Sequence, residues 1–179
     1  MASQAKFAEA LILQGKQLLS QGKGRPNQAD LRRAVSNSYY ALFHYMIDGC
    51  LGLLIGKSSE PAVKSYFARS FSHTTMKDVF NTLDTTARLP EKFNPIKESL
   101  ISAHFHVEIR SLARAFIDLQ KARHEADYDI SYNYSQLDAK DHLKLAEESM
   151  KLVDECLKTH PTEMQKLSTL LLLAKVKQG

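Results

Sequence analysis

The chain has 179 residues, the length of one domain or of one domain with a short appendage. Its seven glycines and five prolines are too few for a collagen-like, linker-rich or disordered chain. The two cysteines, Cys50 and Cys156, exclude a disulfide framework and a four-ligand zinc site, and they indicate a reducing compartment. No apolar run reaches the roughly 18 residues of a membrane span, and residues 1–14 lack the features of a signal peptide. We therefore expect a soluble, cytoplasmic protein.

The net charge is concentrated at one end of the chain. The sequence contains 24 Lys and Arg against 20 Asp and Glu, which gives a net charge of +4. Residues 1–35 hold six basic and two acidic side chains, so the remaining 18 bases are balanced by 18 acids. Such a basic region is either a solvated helix face or a patch that attracts the phosphates of RNA or DNA.

The pattern of apolar residues is helical almost throughout, and strand signals are nearly absent. Asn27 is predicted to cap the second helix, Pro61 to begin the third, and Ser72 or Thr74 to cap the fourth. Residues 21–26, 84–94 and 128–135 are predicted to be loops or turns, and Gly49, Gly52 and Gly56 leave the end of the second helix ambiguous. The main predicted helices cover residues 4–20, 28–50, 61 onward, 72–83, 95–125 and 136–160.

The last segment, residues 162–179, carries four consecutive leucines from Leu170 to Leu173. It is too apolar to be fully exposed, so we expect it to pack on the rest of the chain or on a second copy. The predicted fold is an all-α, up-and-down helical bundle of four to five main helices with short helices and an extra C-terminal helix. The bundle is expected to span residues 1–160 and the C-terminal helix residues 161–179.

Several familiar chemical sites are missing from the sequence. It has no glycine-rich phosphate loop, no H-E-x-x-H zinc helix and no G-x-S-x-G nucleophile turn. His104 and His106 are two residues apart, so on a helix they point in different directions and do not hold a metal jointly. Cys156 lies on the apolar stripe of its helix and is expected to be a small core residue. We expect no metal and no cofactor at the functional site.

A polar stripe occurs on the second helix. Ser36, Tyr40 and His44 are spaced four residues apart, so their side chains share one helix face, just after the basic pair Arg32 and Arg33. Such a stripe forms a buried hydrogen-bond network or borders a cleft.

A charged group occurs where the long helix is expected to face the core. Arg123 continues the apolar stripe of residues 112, 116 and 119, and Asp127 follows one turn later. Burying a guanidinium is costly unless it is paired, so one interpretation is a structural ion pair that closes the helix. The other is a site at which Arg123 binds a phosphate or stabilises developing negative charge. Local chemistry does not decide between the two.

These segments together resemble HEPN-domain proteins, in particular a small prokaryotic branch with an R-x-x-A-D-Y signature. The resemblance covers residues 7–157. It rests on the block from Arg33 to His44, the later pair Ser72 and His73, and the run from Arg123 to Asp129. It implies a dimeric bundle of four to five helices that cleaves RNA without a metal. Arg and His from two protomers would meet in one cleft, with the His assisting attack by the ribose 2′-hydroxyl and the Arg stabilising the phosphate.

One position departs from that pattern. The residue that follows Arg123 after four intervening positions is Tyr128, where an active member carries His, and a phenol is a poor general base at neutral pH. His124 and His44 are the alternative imidazoles. The predicted catalytic residues are Arg123, His124, Asp127, Tyr128 and His44. The predicted nucleic-acid-binding residues are Arg32, Arg33, Tyr40 and Lys121.

Three functions remain open at this point. The first is a metal-independent ribonuclease or RNA- or nucleotide-binding protein, expected as the toxin-type half of a two-gene toxin–antitoxin or defence module with a nucleotidyltransferase partner. In related modules a tyrosine near the motif is modified by that partner, and Tyr128, Tyr132 and Tyr134 form a tyrosine-rich turn here. The second is a catalytically silent HEPN module that binds a nucleotide, RNA or a protein partner. The third is a purely structural helical oligomer.

Overall fold

The structure is a computed structural model that describes residues 3–20, 25–84, 91 and 105–173. Within these ranges it contains seven α-helices and no strand, which confirms the predicted all-α class. The helices are α1 (Gln4–Ser20), α2 (Gln28–Leu54), α3 (Pro61–Ala68), α4 (His73–Asp84), α5 (Val107–Tyr128), α6 (Gln136–Thr159) and α7 (Pro161–Leu173).

Side-chain caps fix the beginnings of several helices. The Asn27 Oδ1 atom accepts a 3.0 Å hydrogen bond from the Asp30 backbone N–H at the start of α2, as predicted. Ser72 caps α4 through the Thr75 N–H at 3.3 Å, which selects it over Thr74. At the start of α6, Ser135 and Asp138 cap each other's N–H groups at 3.1 Å and 2.8 Å.

One helix boundary that the sequence left open is now defined, and one predicted helix is wrong. Helix α2 continues through Gly49 and Gly52 to Leu54. The absence of a side chain at Gly49 permits close packing, since a Cβ there would lie 3.0 Å from Leu157 Cδ1. Gly56, with φ at 86°, follows the end of that helix. The predicted helix 95–125 does not run unbroken, because residues 105 and 106 are not helical and α5 begins at Val107. Residues 92–104, including His104, lie outside the described residues, as do 21–24 and 85–90.

The chain divides into two compact units. Unit 1 is formed mainly by residues 47–114 and 152–179, and unit 2 by residues 2–46 and 115–151. Unit 2 contains the buried side chains of Tyr39 and Phe116, whose rings meet edge to face at 5.3 Å. In unit 2, α1 and α6 approach closely at Gly15, where a Cβ would lie 2.6 Å from Leu143 Cδ2.

In unit 1, α4 contacts α7. Helix α7 buries Met164, Leu167, Leu170 and Leu171 within the chain, so part of the leucine run is already covered without a second copy. No helix in the described part of the chain is both long enough and apolar enough to cross a membrane.

Candidate functional site

The side chain of Arg123 is the centre of a polar group in unit 2. It projects from the last part of α5 and is only 19% exposed. Its Nε atom lies 2.6 Å from Asp127 Oδ2, and its Nη2 atom donates a 2.7 Å hydrogen bond to the Tyr40 hydroxyl. The contact with Asp127 is an ion pair by distance, since the Nε–H is not aligned with an acceptor. The predicted pairing of Arg123 with Asp127 is therefore observed, and Tyr40 is added to it.

Two tyrosine rings flank the guanidinium. The Arg123 Cζ atom lies 5.3 Å from the ring centre of Tyr40 and 5.5 Å from that of Tyr128, which is the range of cation–π contact. Burial acts to lower the pKa of Arg123, but Tyr40, Asp127 and Tyr128 outweigh it and raise that pKa above its usual value. Arg123 is consequently a permanent cation held in a fixed position.

Two of the three residues of the polar stripe on α2, Ser36 and Tyr40, contact this group. The Ser36 hydroxyl donates to Asp127 Oδ1, and Tyr40 accepts from Arg123. Ser36 orients the carboxylate, and the carboxylate orients the guanidinium. The spacing of four residues on α2 thus corresponds to the spacing of four on α5.

The third member of the stripe has different neighbours. His44 Nδ1 lies 2.6 Å from Gln4 Oε1, and its ring contacts Phe7 edge to face at 4.9 Å. These contacts anchor His44 against α1. Phe7 itself is 47% exposed.

Tyr128 and His124 lie side by side at the end of α5. Their ring centres are 5.0 Å apart, and 65% of Tyr128 is exposed. His124, Lys121 and Arg33 are exposed as well. The predicted proton-handling pair is therefore accessible to solvent and, through Tyr128, adjoins Arg123.

Arg32 has a structural role that its sequence context did not indicate. Its Nη1 atom donates to the backbone carbonyls of Ala126 at 3.0 Å and Glu125 at 3.5 Å, and its Nη2 atom donates to the carbonyl of Tyr132. A cation at the carboxyl end of a helix satisfies carbonyls that have no helical partner. The guanidinium of Arg32, which was expected to contact nucleic acid, thus stabilises the end of α5 and the following turn.

Three further features of unit 2 were missed in the sequence. Gln28 holds the turn after α5 by exchanging hydrogen bonds with the Tyr134 backbone at 2.8 Å and 3.0 Å. The Tyr134 hydroxyl is buried and donates to the Ala122 carbonyl at 2.8 Å. A groove is lined by Lys16, Lys140 and Lys144 with four other residues, so part of the positive charge lies on α6. Only helix packing brings these residues together, and no spacing along the chain signals it.

Chemically, the Arg123 group is suited to binding an anion. Arginine has five N–H donors, of which the contacts with Asp127 and Tyr40 involve two nitrogen atoms. The described residues contain one cluster of three side chains with metal-ligand geometry, and it belongs to unit 1: His106, Glu108 and His160.

No protein-family model matches this chain, and searches of curated proteins and of solved structures found no match.

Proposed function

We propose that the protein is a cytoplasmic, HEPN-like RNA-binding protein in which Arg123 holds an RNA phosphate. The observation that carries the proposal is the fixed, partly exposed guanidinium of Arg123, oriented by Asp127 and Tyr40 and still offering further donors. A guanidinium positioned in advance pays little ordering cost when it binds a phosphate.

Exposed aromatic side chains beside this group favour RNA over a free nucleotide or phosphate. Tyr128 is 65% exposed and Tyr132 is 43% exposed, and Ile130 between them is 91% exposed. Unpaired bases stack on such rings, while a basic surface follows the backbone. The groove lined by Lys16, Lys140 and Lys144 is a candidate for that basic surface, since its one acidic lining residue, Glu147, pairs with Lys16.

Metal-independent cleavage is the activity that the HEPN resemblance implies. The ribose 2′-hydroxyl would attack the adjacent phosphorus and expel the 5′-oxygen of the next nucleotide, leaving a cyclic phosphate. Arg123 would stabilise the charge on the phosphate oxygens. His124 and Tyr128 would take the proton from the 2′-hydroxyl and supply one to the departing 5′-oxygen.

The second candidate function is a catalytically silent module that binds RNA or a nucleotide through the same group, or a protein partner. The observation that favours it is Tyr128 itself, which occupies the position of the expected histidine and is 65% exposed.

Dimerisation and a nucleotidyltransferase partner belong to the same proposal. HEPN sites pair across a dimer, so two Arg123 groups would act on one RNA. Of the tyrosines in the turn, Tyr128 and Tyr132 are accessible to a modifying enzyme, whereas the Tyr134 hydroxyl is buried on the Ala122 carbonyl.

The test uses a fluorescent single-stranded RNA in EDTA. Binding is measured by anisotropy, and cleavage on a denaturing gel, for the wild type and for Arg123→Ala and Arg123→Lys. The matched control is Arg110→Ala, an exposed arginine on the same helix. Loss of charged hydrogen bonds predicts at least about tenfold weaker binding for Arg123→Ala and a smaller loss for Arg123→Lys.

Cleavage in EDTA that disappears in Arg123→Ala supports the nuclease, and binding without cleavage supports the silent module. If Arg123→Ala folds and binds RNA as tightly as Arg110→Ala, the proposal is wrong, and Arg123 with Asp127 is a structural ion pair.

A further inference from the structure

Two histidines of unit 1 occupy equivalent positions at the starts of two helices. The His106 carbonyl accepts the first helical hydrogen bond of α5 from Arg110 at 3.1 Å, and the His160 carbonyl accepts that of α7 from Met164 at 2.9 Å. Their rings lie nearly parallel, with centres 4.1 Å apart and planes inclined by 23°. Both imidazoles are therefore brought to one place by the ends of two helices.

A carboxylate lies beside both rings, close to one nitrogen of each. Glu108 Oε2 is 3.0 Å from His160 Nε2 and 3.7 Å from His106 Nδ1. We propose that His106, Glu108 and His160 bind a divalent transition-metal ion, for which Zn²⁺ is the best match.

The distances between the ligand atoms fit a single ion. Zinc binds histidine nitrogen and carboxylate oxygen at about 2.0–2.2 Å, so neighbouring ligand atoms in a tetrahedron are about 3.3–3.5 Å apart. The two observed separations, 3.0 Å and 3.7 Å, bracket that value, and one ligand atom from each residue lies within 4.8 Å of the others. Because the two rings are stacked, binding requires both imidazoles to rotate so that one nitrogen of each faces the ion. Three protein ligands leave a fourth position for water or another ligand.

The chemistry of these donors selects the class of ion. Two imidazoles and one carboxylate suit zinc and its neighbours in the first transition series. Magnesium and calcium prefer six or more oxygen ligands, which this cluster does not supply. Three side chains at the starts of two helices are also enough to hold an ion without a cysteine.

A second carboxylate supports the cluster from outside. Glu163 Oε2 accepts a 2.6 Å hydrogen bond from the His106 backbone N–H, and its Oε1 atom lies 3.9 Å from His160 Nδ1. Carboxylates placed behind a ligating histidine fix the ring and increase its basicity. With one carboxylate as ligand and one behind it, the two negative charges match the charge of the ion.

The cluster is accessible to an ion from solvent. The exposed fractions of the His106, Glu108 and His160 side chains are 46%, 39% and 20%. Cys156, one turn before His160, is not a ligand as it stands. Burial, reinforced by the charges of Glu108, Glu155 and Glu163, raises the pKa of its thiol to about 11 and keeps it protonated at neutral pH.

The competing explanation is that these residues only cap α5 and α7. Glu163 on the His106 N–H and Glu108 on His160 would then be complete without an ion. The two explanations differ in what happens when zinc is offered, and neither depends on RNA binding in unit 2.

The test uses the full chain with its purification tag removed, stripped with EDTA and desalted. Equilibrium dialysis against micromolar ZnCl₂ at neutral pH gives the stoichiometry and affinity, and the visible spectrum with CoCl₂ reports the coordination. The variants are His106→Ala and Glu108→Gln, with His124→Ala, an exposed histidine of unit 2, as the matched control.

We expect one Zn²⁺ per chain in the wild type and in His124→Ala, a Co²⁺ spectrum of low coordination number, and at least about tenfold weaker binding in both cluster variants. His106 and Glu108 are exposed enough for both variants to fold, which circular dichroism checks. If the wild type binds no Zn²⁺, or if both folded cluster variants bind it as tightly as the wild type, the metal site is ruled out and the cluster is a helix cap only.

Discussion

The polar group around Arg123 and the histidine cluster around Glu108 are built in opposite ways. The first extends along two helices, with Ser36 and Tyr40 one turn apart on α2 facing Asp127 and Arg123 one turn apart on α5. The second forms where two helices begin, and its closest contact, from His160 to Glu108, joins residues 52 positions apart. Helical periodicity predicts neighbours of the first kind, whereas only tertiary packing reveals the second.

The two groups also differ in the sign of the ligand charge that they would attract. Arg123 has one carboxylate partner and offers further donors, so it suits an anion such as a phosphate. The histidine cluster contains one carboxylate, has a second, that of Glu163, behind it, and includes no permanent cation, so it suits a positive ion. One chain therefore presents two sites of opposite preference, one in each unit.

Among the variants, Arg32→Ala is expected to reduce the stability of the fold most, and Arg33→Ala is its comparison. Arg32→Ala removes donors from three carbonyls at the end of α5 and in the following turn. It should lower the free energy of unfolding by about 2–3 kcal/mol, since hydrogen bonds to charged groups are worth about 1.5–3 kcal/mol. The neighbouring Arg33→Ala, at an exposed position, should cost less than about 0.5 kcal/mol. Urea unfolding of both variants checks this, and equal stabilities would remove the helix-capping role of Arg32.

A smaller effect is expected in unit 1. Glu163→Ala deprives the His106 N–H of its acceptor and should cost about 1–1.5 kcal/mol of unfolding free energy, the size of a lost helix cap. The control is Glu148→Ala, whose 3.8 Å pair with Lys144 is exposed and contributes little. Thermal unfolding distinguishes them. If Glu163→Ala is as stable as the control, Glu163 does not fix the start of α5.

The smallest effect concerns the turn of unit 2 and depends on pH. Burial, assisted by the charge of Glu125, raises the pKa of Tyr134 to about 12, while an unfolded tyrosine titrates near 10. Between these values the unfolded chain binds fewer protons than the folded one, so stability is retained below about pH 10 and falls as pH rises towards 12.

Tyr134→Phe should therefore reduce the alkaline loss of stability, at a cost of about 0.5–1 kcal/mol at neutral pH for the hydrogen bond to Ala122. Urea unfolding at neutral and alkaline pH gives both numbers. An alkaline slope that is unchanged in the variant would show that Tyr134 does not titrate in this way.

Much of the fold could be predicted because the helices carry their signals locally. The bounds of α1 and the start of α6 agree with the apolar pattern, and Asn27, Pro61 and Ser72 mark the starts of α2, α3 and α4. The non-helical residues before α5 were not predicted. The His106 N–H donates there to Glu163, which lies on α7 and is distant in sequence. The end of α2 was left open, because the close packing of Gly49 against Leu157 is a tertiary contact.

The candidate site was predictable to a similar extent. Spacing placed Arg123 with Asp127 and placed Ser36 with Tyr40, and packing in unit 2 brought the pairs together. The same spacing grouped His44 with them, but contacts with Gln4 and Phe7 hold its ring. Arg32 was read as a surface cation because its acceptors are backbone carbonyls, which the side-chain sequence does not display.

In the proposed function, Arg123 is available to a phosphate, whereas Arg32 is held by backbone carbonyls. The most direct measurement is an NMR titration of the arginine Nε–H resonances with a short single-stranded RNA in EDTA, assigned with Arg123→Lys and Arg32→Lys. We predict that the Arg123 resonance shifts in a saturable manner while that of Arg32 stays in place. An Arg123 resonance that does not respond at saturating RNA would contradict the proposal and leave the guanidinium as a structural partner of Asp127.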